Sequence, residues 1–154
     1  EFRRVLFRSD RRFDFRVKTP SMVYLSDYAH HPAEIRQSIL SIKQLYEGRR
    51  IKAIFQPHLY TRTRDFYRDF ADALSLLDDV AIVDIYPARE QPIPGVTSRL
   101  IYDNLRPGIK KQLCTKDEIC DIVRQGGVDV LVTLGAGDIE NYADEITQIL
   151  TQEK

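Results

Sequence analysis

The chain has 154 residues, of which 43% are hydrophobic and 30% charged, and such values are ordinary for a single globular domain with a real core. Lys plus Arg and Asp plus Glu both number 23, so no net charge attracts the chain to nucleic acid or to an anionic membrane. The sequence has no apolar run of the roughly 18 residues that a membrane span needs, and its two cysteines fit a reduced compartment better than a disulfide scaffold.

The chain is predicted to begin with a short tail and an antiparallel hairpin. Residues 1–10, which start with EFRRVLFRS, are interpreted as a frayed or foreign tail, and residues 11–154 as one domain. Phe13, Phe15 and Val17 alternate with polar residues, which indicates a half-exposed strand. A turn at residues 19–21 leads to a second strand at 22–25, and these two strands are expected to pair.

Beyond the hairpin, apolar strands alternate with helices. Strands are predicted at residues 51–55, 80–85, 109–113 and 128–134, and helices from Pro32 to near Gly48 and at about 66–77, 100–105, 115–124 and 138–152. Such alternation implies a parallel sheet covered on both faces, with right-handed crossovers. The predicted fold is therefore α/β: a Rossmann-like, doubly wound, mostly parallel sheet with an antiparallel edge hairpin.

Ligands of open α/β sheets bind beyond the carboxyl ends of the strands, so the segments that follow the strands are the candidates for a site. Four of them have unusual residues: 27–32, 56–65, 84–98 and 135–138. The chain has three histidines, and all of them, His30, His31 and His58, lie in the first two segments. This clustering favours a function for them over scattered packing roles. Because parallel strands share one carboxyl edge, Asp27, His30, Arg62 and residues 135–137 are expected at the same edge of the sheet, with side chains partly exposed rather than buried in the core.

Two kinds of site can explain the histidines. One is a metal site with Asp27, His30, His31 and His58 as ligands, a donor set that suits zinc, manganese or iron. Adjacent His30 and His31 point in different directions, however, and only one acidic residue is close in sequence. The other is a site for a zwitterion or a nucleotide beside a helix N-terminus, which favours anions.

Arginines and glycines support the second kind of site without proving it. Arg62 and Arg64 offer fork-shaped donors for a carboxylate or phosphate, although a solvated helix start with Arg64 paired to Asp65 would also explain them. Cations in a first helical turn oppose the helix dipole and indicate an anionic partner. Residues 135–137, Gly-Ala-Gly, are a tight strand-to-helix turn whose exposed N–H groups either shape the turn or contact a ligand.

Four segments, in this order along the chain, resemble the C-terminal domain of the Mur ligases. They are DYAHHPAEI at residues 27–35, FQPHLYTRTRDF at 55–66, EQPIPGVTS at 90–98 and TLGAGDI at 133–139, and RRF at 11–13 is similar to the linker that enters this domain. The resemblance is to the members that join L-alanine to UDP-N-acetylmuramate. In them ATP and magnesium activate the muramate carboxylate as an acyl phosphate, which the alanine amine attacks.

The resemblance also implies roles for individual residues. Asp27 matches the position that contacts the ATP ribose, Tyr28 and His30 match positions near the amino acid, and Arg62 matches an arginine that holds its carboxylate. Many relatives have a second arginine where this chain has Leu59. The remaining substrate-binding candidates are His31, Arg64, Gly135, Ala136 and Gly137.

The sequence has no phosphate loop of the form G-x-x-x-x-G-K-[ST]. The resemblance therefore implies a fragment, inactive alone, of a bacterial cytoplasmic enzyme whose N-terminal and central domains are missing. ATP and Mg²⁺ would be held by the full-length enzyme and not by this domain alone, and its partners would be L-alanine, ATP and UDP-N-acetylmuramate. The alternatives are a domain that attaches whole peptides to UDP-muramate, or a non-catalytic nucleotide- or amino-acid-binding α/β module.

Overall fold

The structure is a computed structural model that describes residues 13–152, so the predicted tail at 1–10 lies outside the described residues. The strands are β1 (Asp14–Lys18), β2 (Val23–Asp27), β3 (Ile51–Phe55), β4 (Asp79–Val83), β5 (Lys110–Cys114) and β6 (Val130–Leu134). The α-helices are α1 (Pro32–Leu45), α2 (Tyr60–Leu74), α3 (Arg99–Asp103), α4 (Ile119–Arg124) and α5 (Ala143–Gln152).

The strands form one six-stranded sheet in the order β1-β2-β6-β3-β4-β5. Only the β1–β2 pair is antiparallel, which confirms the predicted doubly wound sheet with an edge hairpin. The last strand, β6, lies between β2 and β3, and both Asp27 and Phe55 are aligned with its Leu134. The carboxyl ends of these three strands therefore meet at one edge of the sheet.

Two apolar cores lie on opposite faces of the sheet because successive strand residues point to opposite sides. Val132 packs with residues of α1, α2 and α3, such as Ile39 and Phe70. Its neighbour Leu131 packs with residues of α4 and α5, such as Ile122. Burial on both faces explains why the strands read as nearly continuous apolar runs. Within residues 13–152, no helix combines the length and the apolarity that crossing a bilayer needs.

The predicted helices differ from the observed ones mainly at their ends. Helix α2 begins at Tyr60, several residues before the predicted start near Phe66, so that Arg62 is already helical. The predicted helix at 115–124 is split into a 3-10 turn, Lys116–Glu118, followed by α4. The closing helix likewise starts with a 3-10 turn, Asp138–Tyr142. Apolar periodicity marks helix interiors, whereas these first turns have little of it.

An ion pair is buried near the amino ends of the parallel strands. Lys52 Nζ lies 3.5 Å from Asp79 Oδ2, and the two side chains are 3% and 2% exposed. Lys110, on the next strand, lies 3.9 Å from the same oxygen but is 63% exposed. Burial lowers the pKa of Lys52, and the Asp79 charge opposes that effect. Asp79 Oδ1 is buried without a hydrogen-bond partner among the residues that the structure describes.

Candidate functional site

The candidate site is the carboxyl rim, which we define as the segments that follow β2, β3 and β6, together with the first turn of α2: residues 28–31, 56–64 and 135–138. The chain leaves β2 and β3 toward helices on one face of the sheet and leaves β6 toward α5 on the other. The helix that follows β6 therefore lies on the opposite face of the sheet from the helices that follow its two neighbours, β2 and β3. Open α/β sheets bind ligands where the chain changes faces in this way. The strand register confirms the prediction that these segments share one edge.

Asp27 lies at the end of β2, and the expectation that its side chain would be partly exposed was wrong. It is 2% exposed, and its Oδ2 accepts a hydrogen bond from Ser38 Oγ at 2.6 Å. Its Oδ1 accepts from the Ala29 N–H at 3.0 Å. The carboxylate therefore fixes the end of β2 against α1. Its contact with an ATP ribose stays a prediction, whereas this positioning role follows from the hydrogen bonds.

The side chains of His30, His31 and His58 form an imidazole cluster at the rim, and Tyr28 packs against it. The His30 ring centroid lies 4.8 Å from that of His31, 5.2 Å from Tyr28 and 6.0 Å from His58. His30 Nδ1 donates to the Tyr28 carbonyl at 3.1 Å, so a neutral His30 has Nε2 as its acceptor. The His30 and His31 N–H groups both donate to Glu34 Oε1 at 3.2 Å, which closes the start of α1.

The metal alternative gains no support from this geometry. Across residues 13–152, no group of three or more His, Cys, Asp and Glu side chains is arranged to hold a metal ion. Both carboxylate oxygens of Asp27 accept hydrogen bonds from within the chain. The histidines of the rim contact one another and aromatic rings instead.

Arg62 lies in the first turn of α2 and faces the imidazole cluster. Its Nη1 donates to His58 Nδ1 at 3.0 Å. The His58 ring stacks on Tyr86, with centroids 5.6 Å apart and planes 13° apart. Within the described part of the chain, Arg62 has no Asp or Glu oxygen within 4.0 Å, the limit for an ion pair. Among the described residues of the rim, its guanidinium is therefore the cation that is left for an anionic ligand.

Arg64, the second predicted donor, is paired differently. Its Nε lies 2.9 Å from Asp65 Oδ1, and both side chains are 52% exposed. This pair lowers the pKa of Asp65 and raises that of Arg64. The solvated helix start, which the sequence left open for the two arginines, is what the structure shows for Arg64. Its role in substrate binding stays a prediction.

Glu90, in the segment that follows β4, contacts the rim at Thr61 and was not singled out by sequence reasoning. Its carboxylate accepts from the Thr61 N–H at 3.0 Å and from the Thr61 hydroxyl, at the amino end of α2. These hydrogen bonds from Thr61 lower the pKa of Glu90. The Glu90 carboxylate thus interacts favourably with the positive end of the helix dipole. The cationic first turn alone is therefore no longer an argument for an anionic ligand. The only hint in the sequence was the EQPIPG segment.

The glycine turn after β6 is shaped by close packing. A Cβ at Gly135 would lie 2.8 Å from the Gln56 carbonyl oxygen, and one at Gly137 would lie 2.7 Å from Tyr86 Cγ. The expectation that this turn exposes its N–H groups was wrong for Gly135, which is buried and donates to the Asp27 carbonyl at 3.2 Å. The structural role that the sequence left open is thus shown for Gly135. Contact of Ala136 and Gly137 with a ligand stays a prediction.

Gln56, also missed, joins two of the rim segments. Its side chain is almost fully buried, at 1% exposed. Its Nε2 donates to Asp138 Oδ1 at 2.7 Å, and its Oε1 accepts from the Ile139 N–H at 3.0 Å. Asp138 also binds Lys116, at 2.6 Å. Burial alone would raise the pKa of Asp138, but hydrogen bonds from Lys116 and Gln56 lower it. The carboxylate is therefore held charged by its neighbours.

Gly135→Ala is expected to destabilise the chain by about 1–3 kcal/mol, the range for a strained backbone position. The residue has φ +144° and no room for a Cβ beside Gln56. Gly126→Ala is the matched control, because Gly126 also has positive φ (+64°) but nothing within 4 Å of its added Cβ. Urea denaturation of both variants measures the difference. Equal losses would show that the close approach to Gln56 does not matter.

Leu59 precedes α2 in a left-handed conformation, with φ +77°. Its N–H donates to the Tyr86 carbonyl at 2.9 Å, and its carbonyl accepts from the Thr63 hydroxyl at 2.9 Å. Such strain in a residue other than glycine costs on the order of 1–3 kcal/mol and persists where surrounding contacts fix it. The apolar side chain of Leu59 offers no charged donor to an anionic ligand.

An open groove of about 580 Å³ lies next to the rim, between α1 and α2. Its lining includes Pro32, Arg36, Phe66 and Asp69, and it shares His31 with the imidazole cluster. The groove lies on the helices and not at the strand ends. We therefore assign the candidate site to the rim, where the polar groups converge.

The fold and its rim define an α/β domain with a candidate small-ligand site at the strand ends, where one arginine lies beside a histidine cluster. The chain belongs to the Mur ligase family, because the family described as "Mur ligase, glutamate ligase domain" matches residues 11–139.

Similar proteins agree with this assignment. The chain is 65% identical over 143 residues to a UDP-N-acetylmuramate–L-alanine ligase of Phocaeicola vulgatus, with 93% of this chain and 31% of the relative covered. It is 55% identical to the ligase of the same name from Parabacteroides distasonis, again with 93% and 31% covered. The crystal structure of a UDP-N-acetylmuramate–alanine ligase from Thermotoga maritima matches with a TM-score of 0.75 and 27% identity, covering 94% of this chain and 30% of that one. The chain thus spans about a third of the length of these relatives.

Proposed function

We propose that this chain is the amino-acid-binding domain of an ATP-dependent ligase that joins L-alanine to UDP-N-acetylmuramate in peptidoglycan precursor synthesis. The observation that carries the proposal is Arg62, a half-buried guanidinium at the carboxyl rim without a carboxylate partner among residues 13–152. The relatives named as L-alanine ligases support the choice of substrate. They are bacterial, and we place the ligase in the bacterial cytoplasm, where ATP and nucleotide sugars are available.

In this proposal the rim binds and orients the amino acid. Arg62 holds the alanine carboxylate through charge-assisted hydrogen bonds. Tyr28, His30 and His31 lie beside the amino group, and Nε2 of a neutral His30 is able to accept a hydrogen bond from it. Orienting a nucleophile in this way contributes up to about 7–11 kcal/mol in the best cases.

The other substrates are held largely outside residues 11–154, which we propose form one domain. The sequence lacks a phosphate loop, and Asp27, the residue matched to an ATP-ribose contact, is buried against Ser38. ATP and Mg²⁺, which activate the muramate carboxylate as an acyl phosphate, and UDP-N-acetylmuramate itself are therefore assigned to the other domains of the full-length ligase. Those domains are the partners of this rim.

Phosphate release by the intact ligase tests the proposed function. With ATP, Mg²⁺ and UDP-N-acetylmuramate present, we expect L-alanine to give the highest kcat/KM among four substrates. The other three are glycine, D-glutamate and a tripeptide that begins with alanyl-glutamyl. The 154-residue chain assayed alone should release no phosphate and form no amide, because it lacks the groups that cradle ATP phosphates. Preference for the tripeptide would favour the peptide ligase, and alanine-dependent phosphate release by the chain alone would contradict the division of labour.

A further inference from the structure

We propose that His58 is a positioning residue that orients Arg62 toward the amino-acid carboxylate by accepting its hydrogen bond while stacked on Tyr86. The inference rests on the proposed function for what Arg62 binds. It adds a residue that acts through Arg62 rather than on the substrate, and it predicts one protonation state for its ring.

The contact between the two side chains fixes the tautomer of His58. A guanidinium has only donors, so the 3.0 Å contact from Arg62 Nη1 requires His58 Nδ1 to be the acceptor. A neutral His58 therefore has its proton on Nε2. Once Nδ1 is protonated as well, the acceptor is lost and two cations face each other.

The backbone of His58 is held from both sides by Tyr86. The two residues form an isolated parallel bridge, in which the Tyr86 N–H donates to the Pro57 carbonyl at 2.8 Å and the Leu59 N–H donates to the Tyr86 carbonyl at 2.9 Å. The two rings then stack at 5.6 Å. The imidazole thus has little freedom to turn away from Arg62.

Tyr86 is itself held in place by the glycine turn after β6. A Cβ at Gly137 would lie 2.7 Å from Tyr86 Cγ and 2.8 Å from its Cβ, so the ring fits only because residue 137 has no side chain. A chain of contacts therefore runs from the end of β6 through Tyr86 and His58 to Arg62. It joins the segments that follow β6, β4 and β3 to the first turn of α2.

The surroundings favour the neutral ring. Burial lowers the pKa of His58, the nearby cation Arg62 and His30 lower it further, and Glu90 opposes them. Among the described residues, the charged and titratable groups that face it are Arg62 from α2, His30 from the segment after β2, and Tyr86 and Glu90 from the segment after β4. At neutral pH the acceptor is therefore present, and it is lost as pH falls through the lowered pKa.

The arginine side chain is long and flexible, so a fixed hydrogen-bond acceptor such as His58 Nδ1 helps to hold it in its binding conformation. Ordering a free arginine side chain when the ligand binds costs rotamer entropy. A fixed acceptor removes part of that cost before the ligand arrives, which is preorganisation. The effect should therefore be seen in KM for the amino acid more than in kcat.

The test in the intact ligase compares His58→Leu with His58→Asn. Leucine keeps similar bulk but offers no acceptor, whereas the asparagine Oδ1 can take the place of Nδ1. We expect His58→Leu to raise KM for L-alanine about tenfold, with KM for ATP within about twofold. His58→Asn should keep most of the alanine affinity. KM for L-alanine in the wild type should rise as pH falls below the ordinary histidine pKa, and this rise should be smaller in His58→Asn.

The tautomer is tested separately, on the 154-residue chain. Long-range ¹H–¹⁵N correlation spectra at neutral pH should show His58 with a proton on Nε2 and none on Nδ1. A proton on Nδ1, or an unchanged alanine KM in His58→Leu, overturns the inference. If Arg62→Ala also leaves the alanine KM unchanged, the proposed function fails; if only the His58 variant is silent, this inference fails alone.

Discussion

Replacing Lys52 by methionine is expected to lower the free energy of unfolding by about 3–5 kcal/mol, the range for breaking a buried ion pair. Methionine fills the space of the lysine stem but leaves the buried Asp79 without its nearest cation. Asp79 Oδ1 already has no hydrogen-bond partner among the described residues. The free energy of unfolding of a domain is about 5–15 kcal/mol, so the loss would be a large part of the total. Urea denaturation of the chain, followed by circular dichroism, measures it.

Lys110→Met is the matched control for this substitution. Lys110 lies 3.9 Å from the same Asp79 oxygen but is 63% exposed, so its loss should cost less than about 1 kcal/mol. Adding Asp79→Asn to Lys52→Met should recover part of the stability, because no unpaired charge is then buried at this position. Equal effects of the two lysine substitutions would mean that burial does not strengthen the inner pair.

The type of fold was predictable because strand and helix periods leave clear patterns. Val130–Leu134 is the most apolar segment, and it lies in the middle of the sheet, where both of its faces are covered. Helix ends were harder to predict. The apolar stripe of α2 shows from Phe66 onward, whereas its first turn is polar and starts at Tyr60 because of contacts with Leu59 and Glu90. Lys52 shows the same limit, since nothing local predicts that a lysine in a strand is buried.

The location of the site was predictable, but its internal contacts were not. The rule for parallel strands was enough to place His30, His58 and Gly135 at one edge. The contacts that hold the site together join distant parts of the chain. Gln56 binds Asp138, 82 residues away, and Glu90 binds Thr61, 29 residues away. A sequence pattern cannot predict such pairs because each depends on how two loops meet. The burial of Asp27 was missed because it depends on how α1, with Ser38, packs against the end of β2.

Arg62→Ala in the intact ligase is expected to lower kcat/KM for L-alanine by about 10- to 150-fold, which corresponds to about 1.5–3 kcal/mol for a charge-assisted hydrogen bond. The carboxylate would lose the one guanidinium of the rim that has no carboxylate partner among the described residues. KM for ATP should stay within about twofold, because the lost contacts concern the amino acid. Steady-state phosphate release at varied L-alanine and ATP measures both constants.

Arg64→Ala removes the same charge two residues further along α2 and is the matched control. Arg64 is half exposed and already paired with Asp65, so we expect its kcat/KM for L-alanine to change by less than about threefold, as for an exposed ion pair. Arg62→Lys should fall between wild type and Arg62→Ala, because lysine keeps the charge but not the planar fork that binds both carboxylate oxygens. If Arg64→Ala costs as much as Arg62→Ala, the loss is one of general positive charge, and the carboxylate is not bound specifically by Arg62.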